Sequence, residues 1–191
     1  MSNIISNPAK QPSKNLATAD LHTDPNTRFS CRETTSTNIR TSRVETLAKL
    51  YLDSEPAQID DATLVELCDW LWGEFQTTPL NLEFSWYERY QNAAEMFADI
   101  KQSHLWVSAE NYDTSLGINP IYNFILYAVH NHDHYRTHSD FSMEGELATY
   151  NATAQRAPSL IIQKIIYSES VLRPAAYLFL GHAPTSKIVL L

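Results

Sequence analysis

The spacing of hydrophobic positions changes near residue 42. Residues 1 to about 40 are rich in Ser, Thr, Asn, Pro, Lys and Asp, and their scattered apolar residues show no period. Such a segment buries too little apolar surface to offset the entropy lost when it becomes ordered. We therefore predict a disordered N-terminal tail over 1–40, with a docking or regulatory arm as its functional alternative, and a single folded domain over 41–191.

Helical spacing dominates the rest of the chain, because apolar residues recur at intervals of three and four. We predict helices over about 42–52, from Asp61 to the break at Pro79, and over 86–104, 121–137, 142–156 and 160–180. Asn119 and Pro120 form a strong helix start, and a kink is expected near Pro174. Residues 105–109 are compatible with a short strand or an extended connection. The pattern predicts an all-α fold, a compact bundle of about six helices.

Charge and cysteine content narrow the class of protein. The chain has 22 acidic and 14 basic residues, and no cluster of Lys and Arg that could bind nucleic acid or an anionic membrane. Cys31 and Cys68 share no ligand or disulfide spacing, which favours a reducing compartment. The start of the chain does not resemble a secretory signal, and no apolar run reaches the roughly 20 residues of a membrane span. We expect a cytoplasmic protein; a small-molecule substrate and a homo-oligomer are compatible with it.

Four of the seven histidines lie between residues 130 and 138 of the predicted fourth helix. His130 and His134 are four residues apart, so their rings share one face of the helix, and His138 extends that face. Two imidazoles at this spacing can bind one transition-metal ion. A solvated polar face near the end of the helix is the plain alternative, and proton transfer without a metal is a third.

Two later carboxylates could complete such a site. Glu146 follows Gly145, whose missing side chain would permit another element to approach closely. Glu169 lies among apolar residues, so its carboxylate needs a partner: either a metal or Arg173 four residues later. We predict a metal site made by His130, His134, Glu146 and Glu169. Mixed histidine and carboxylate ligands suit iron, with zinc or manganese as alternatives.

The strings at 129–134 and 140–146, with the later Glu169, resemble a group of uncharacterised bacterial and phage proteins. Those proteins carry a His-Asp-rich helix that ends in His, then a Gly-Glu doublet and a later Glu. His134, Gly145-Glu146 and Glu169 match these features, whereas Asn131 stands where Asp is expected. The resemblance implies that these residues act as a set, and it implies no known activity.

Two better-known patterns match less well, and a third stays open. His132-Asp133 resembles the doublet of HD-type phosphohydrolases, with His104 as an upstream histidine, but the chain has no Asp after Asp140. The helix content resembles ferritin-like di-iron proteins, whose Glu-x-x-His motifs are absent from this sequence. A haem-oxygenase-like arrangement stays open and would need further acids such as Glu88 or Glu95.

These observations favour a metal-binding helical protein, and specifically a non-haem iron oxidoreductase. The alternatives are a non-enzymatic helical interaction protein and a metal-dependent hydrolase.

Overall fold

The computed structural model of the protein describes residues 37–109 and 118–191. Its α-helices there are α1 (Thr37–Asp53), α2 (Asp61–Gln76), α3 (Ala93–Ile100), α4 (Pro120–Thr137), α5 (Met143–Ala154), α6 (Leu160–Tyr167) and α7 (Arg173–Leu180). The predicted tail lies outside this range except for residues 37–40, which belong to α1, and the turn predicted over 110–117 also lies outside it. The helical class is confirmed.

A small sheet makes the all-α prediction wrong in one respect. Strands β1 (Asn81–Ser85) and β2 (His104–Ser108) pair in parallel, with Asn81 opposite His104 and Ser85 opposite Ser108. Parallel strands need a crossover connection between them, and α3 lies in that connection. Of the two strands, only β2 falls where the sequence allowed one.

The predicted third helix is too long, since α3 begins only at Ala93 and ends at Ile100. Before it, Glu88 Oε1 accepts the backbone N–H groups of Arg89 at 3.0 Å and Tyr90 at 3.4 Å, which stabilises a turn in place of helix. Asn92 then caps α3 by accepting the N–H of Glu95.

The helical run from residue 160 to 180 is continuous and contains a π-helical segment at Ser168–Leu172 between α6 and α7. The N–H of Arg173 donates to the carbonyl of Ser168, one residue further back than in an α-helix. Pro174 follows at once and has no N–H to donate. The irregularity expected at this proline is thus a π-helical turn. Counted as one helix, this run brings the described helices to the six predicted.

Helix α4 lies at the centre of the fold and packs against α2, α3, α5 and β2. Apolar side chains of α2, α4 and α6 form one core cluster, while α1, the π-helical segment and α7 form a second. The C-terminal residues Ile188 and Val189 are buried, one in each of these clusters. Among the described helices, none is long and apolar enough to cross a membrane.

Candidate metal centre

Helix α4 supplies two imidazoles to one side of the centre. The side chain of Asn119 accepts the N–H of Ile121 at 3.1 Å and Pro120 occupies the first turn, as the sequence predicted. From this start the helix continues without a break through His130 and His134. Their ring centroids lie 4.6 Å apart, one turn of helix from each other. Both rings therefore face the same neighbour, α5.

Helix α5 supplies the carboxylate, and Gly145 lets the turn before α5 pack closely against the start of the helix. A Cβ atom at Gly145 would overlap the backbone carbonyl of Asp140 and lie 2.8 Å from its Oδ1. Only glycine leaves room for this contact, which is made by the turn before α5 and not, as expected from the sequence, by another helix or strand. Ser142 caps the helix by accepting the N–H of Gly145 at 3.2 Å. Glu146 in the first turn of α5 faces α4, where it contacts the two imidazoles.

The three side chains meet at atoms that a metal ion would use. Glu146 Oε2 lies 3.0 Å from His130 Nε2 and 3.4 Å from His134 Nε2, and the two Nε2 atoms are 3.0 Å apart. Metal–ligand bonds of about 2.1 Å place neighbouring ligand atoms about 3.0 Å apart at right angles and about 3.4 Å apart in a tetrahedron. All three measured distances fall within this range, so one ion can bind all three atoms.

Burial and the two imidazoles act on the Glu146 carboxyl in opposite directions. The side chains of His134, Glu146 and His130 are 1%, 10% and 14% exposed. Burial raises the pKa of Glu146, but hydrogen bonds from His130 and His134 and their positive charge outweigh it and hold the pKa at about 2. Near neutral pH the group is a buried carboxylate, which is stable only with a proton-bearing imidazole or a metal ion beside it.

Hydrogen bonds on the side of the His134 ring away from the cluster determine which ring nitrogen can bind a metal. The Nδ1 atom of the ring lies 3.1 Å from the Ser139 carbonyl oxygen and 3.1 Å from Thr149 Oγ1. Because a carbonyl oxygen can only accept, Nδ1 carries the hydrogen and donates it. In the neutral ring the lone pair is then on Nε2, which faces His130 and Glu146. A metal-binding histidine is commonly oriented in this way.

Three of the four predicted ligands thus form one cluster. Glu169 is not a member of it: the residue lies in the π-helical segment, and its Oε2 accepts a hydrogen bond from Arg173 Nη1 at 3.0 Å. This is the ion pair that the sequence offered as the alternative partner. Arg173 also donates to the Tyr127 hydroxyl at 3.1 Å. Glu169 as a fourth ligand stays a prediction.

The other candidate residues lie elsewhere. His138 is exposed and ends α4 in a left-handed conformation, with φ 52°, and His132 is half-buried. Glu95 accepts the N–H of Gln91 at the start of α3. His104 lies 3.2 Å from Asp99 at the end of that helix. The solvated-face interpretation therefore applies to His138 but is wrong for His134.

Two features of the site have little signature in the sequence. Nothing in the residue types predicts that the backbone carbonyl of Ser139 contacts His134. Thr149 is three residues after Glu146, so a search along the face of α5 for polar side chains could have found it.

A second polar cluster flanks α4 beside the centre. The buried Asp133 accepts hydrogen bonds from Arg156 at 2.7 Å and Thr153 at 2.6 Å, and Arg156 also binds Glu74 at 2.7 Å. Asp133, Arg156 and Glu74 line a cavity of about 310 Å³ together with His132. Through Thr153, Asp133, Arg156 and Glu74 the network links α2, α4 and the end of α5.

No protein-family model matches the chain, and neither a curated protein nor a solved structure matches it.

Proposed function

We propose that this protein binds one divalent transition-metal ion through Nε2 of His130, Nε2 of His134 and the carboxylate of Glu146, and that it acts as a non-haem iron oxidoreductase. The observation that carries the proposal is the triangle of ligand atoms with sides of 3.0, 3.0 and 3.4 Å. Two imidazoles and one carboxylate are the donor set of non-haem Fe(II) oxygenases.

Three protein ligands leave coordination positions for oxygen or a substrate, which is the arrangement of catalytic rather than structural metal sites. The metal would supply the redox chemistry. His130, His134 and Glu146 would hold it, and the surrounding side chains would limit access of water. The same donors also bind zinc and manganese, and a reducing cytoplasm would keep iron in the Fe(II) state.

One observation argues against the hydrolase alternative in its best-known helical form. Zinc peptidases with two histidines on one helix place a Glu directly after the first, where it acts as the general base. Here Asn131 follows His130, and an amide cannot accept the proton of a metal-bound water.

Metal analysis tests the binding step. Protein purified without a His tag or chelator and incubated anaerobically with Fe(II), Zn(II) or Mn(II) should retain about one equivalent of metal after desalting. His134→Ala should lose that metal while its circular dichroism spectrum is kept. His182→Ala is the matched control, since it removes an exposed histidine that lies outside the cluster. Retention of well under one equivalent of every metal by the unmodified protein would end the proposal.

A separate measurement tests the redox step. The Fe(II)-loaded protein should bind nitric oxide, a probe for open positions on iron, and should consume oxygen faster than Fe(II)-treated His134→Ala. Tight binding of zinc together with no nitric oxide adduct on iron would leave a metal-binding protein and exclude the oxidoreductase.

A further inference from the structure

Two polar groups from different parts of the chain contact Nδ1 of His134, the ring nitrogen that faces away from the cluster. Ser139 contributes its carbonyl oxygen and Thr149 its hydroxyl oxygen, each 3.1 Å from Nδ1. All three residues are at least nine-tenths buried, and Thr149 has no exposed surface. The Nδ1–H group therefore donates to acceptors that water cannot replace.

Both acceptors are held in place. The left-handed turn at His138 lets the N–H of Ser139 donate to the His134 carbonyl at 3.0 Å, so the two residues bond to each other in both directions. Thr149 lies on α5 three residues after Glu146, so one helix face carries both the carboxylate and the hydroxyl.

The ring of a histidine can flip about its χ2 bond, because imidazole is nearly symmetric in shape. A flipped His134 would turn a carbon atom toward His130 and Glu146 and another toward the two acceptors. In a buried site that flip loses the hydrogen bonds of Nδ1 and leaves the Ser139 carbonyl without its side-chain donor. The acceptors therefore favour the one orientation in which Nε2 faces the cluster.

We propose that Thr149 is a positioning residue of the metal centre, which acts with the Ser139 carbonyl to hold the His134 ring in its metal-binding orientation and tautomer. The proposal rests on the proposed metal site. Thr149 would act only by orienting His134 and would not contact the metal.

The test compares variants that differ by one oxygen atom. Thr149→Val keeps the branched shape and removes the hydroxyl, and Thr149→Ser restores it. Thr153→Val is the matched control: Thr153 is also buried on α5, one turn further on, but its hydroxyl donates to Asp133. Zn(II) and Co(II) affinities are measured by competition with a chelator, and the visible spectrum of the Co(II) protein reports the ligand geometry.

We expect Thr149→Val to bind both metals about 10- to 100-fold more weakly, the usual effect of removing a group that orients a ligand. Its Co(II) spectrum should change, Thr149→Ser should approach the unmodified protein in both measurements, and Thr153→Val should keep its metal affinity. If Thr149→Val does not fold, Thr149→Ala and Thr149→Ser replace it as a pair that differs by the hydroxyl.

Three different outcomes would contradict either the proposed function or the positioning role of Thr149, and they can be distinguished. Absence of metal binding by the unmodified protein contradicts the proposed function itself. Normal metal affinity and spectrum in Thr149→Val contradict the positioning role alone. An equal loss of affinity in Thr153→Val would mean that a looser α5, and not the orientation of His134, weakens binding.

Discussion

At the scale of single residues, Glu146 connects stability to the proposed function. Two imidazoles hold its pKa far below its usual value of 4.5, at about 2, even though burial acts in the opposite direction. A depressed pKa means that the ionised carboxyl, relative to the protonated one, is more stable in the folded protein than in the unfolded chain. This stabilisation is present above pH 4.5 and is lost as the pH falls from 4.5 toward 2.

Glu146→Gln in the metal-free protein should expose this contribution. At pH 6 we expect the variant to be less stable by about 3 kcal/mol, the equivalent of the pKa shift. Urea unfolding of both proteins from pH 6 to pH 3 should show the difference shrinking below pH 4.5. Glu55→Gln, at an exposed carboxylate, is the control and should change little. A difference that stays constant with pH would contradict the charged cluster.

Which residues form the site could be predicted largely from spacing. The four-residue interval between His130 and His134 requires a shared helix face, and the glycine before Glu146 indicates a close contact. The interval from Glu169 to Arg173 is equally regular and indicates an ion pair, which is the contact observed. Spacing alone could not decide between these two partners for Glu169, because the choice depends on how the helices pack.

At the scale of elements, the helix predicted from the sequence differs most from the structure in the segment before α3. Its aromatic residues occur at helical intervals, but the segment is irregular. Tyr90 is nevertheless buried, and its hydroxyl accepts the N–H of Trp106 at 2.8 Å and donates to Asp99. Such long-range hydrogen bonds are invisible to a local pattern. The sequence pattern does not predict strand β1, because the strand has only five residues and most of them are exposed.

Helix α5 and the turn before it offer a prediction at the same scale. Gly145→Ala would place a methyl group against the Asp140 carbonyl, and the turn that carries Ser139 must move away. We expect a loss of about 1–3 kcal/mol in unfolding free energy. Metal affinity should also fall, because the Ser139 carbonyl would no longer reach His134.

A second helical glycine supplies the control. A Cβ at Gly73 in α2 would contact nothing within 4 Å, so Gly73→Ala should stabilise the protein by about 0.5–1 kcal/mol. Chemical denaturation with metal titration of both variants checks the pair. An equally stable Gly145→Ala would show that α5 does not depend on this contact.

At the scale of the whole molecule, the C-terminal segment joins elements that are distant in sequence. The Ala57 N–H donates to the Ile188 carbonyl at 2.8 Å, and the Val189 N–H donates to Ser168 Oγ at 2.9 Å. The Tyr51 hydroxyl accepts the N–H of Lys187 at 3.1 Å. The segment lacks regular secondary structure, so hydrophobic periodicity could not indicate that it belongs to the core.

Removal of residues 187–191 should therefore be costly. Loss of the buried Ile188 and Val189 side chains alone should lower the unfolding free energy by about 3–6 kcal/mol, at about 1.5–3 kcal/mol each. Removal of Leu191 alone, a side chain that is 48% exposed, should have a small effect. Thermal and urea unfolding of the two truncated proteins provide the measurement; similar stabilities would mean that the segment contributes little.

The residues of the candidate metal centre lie close together in the sequence, which has a consequence for the rate of folding. His130, His134, Ser139, Glu146 and Thr149 all belong to one pair of consecutive helices and the turn between them. Contacts between residues near in sequence can form early in folding, before the C-terminal segment docks. A metal that binds this helical hairpin would then stabilise the folding transition state and speed refolding, while leaving the unfolding rate almost unchanged.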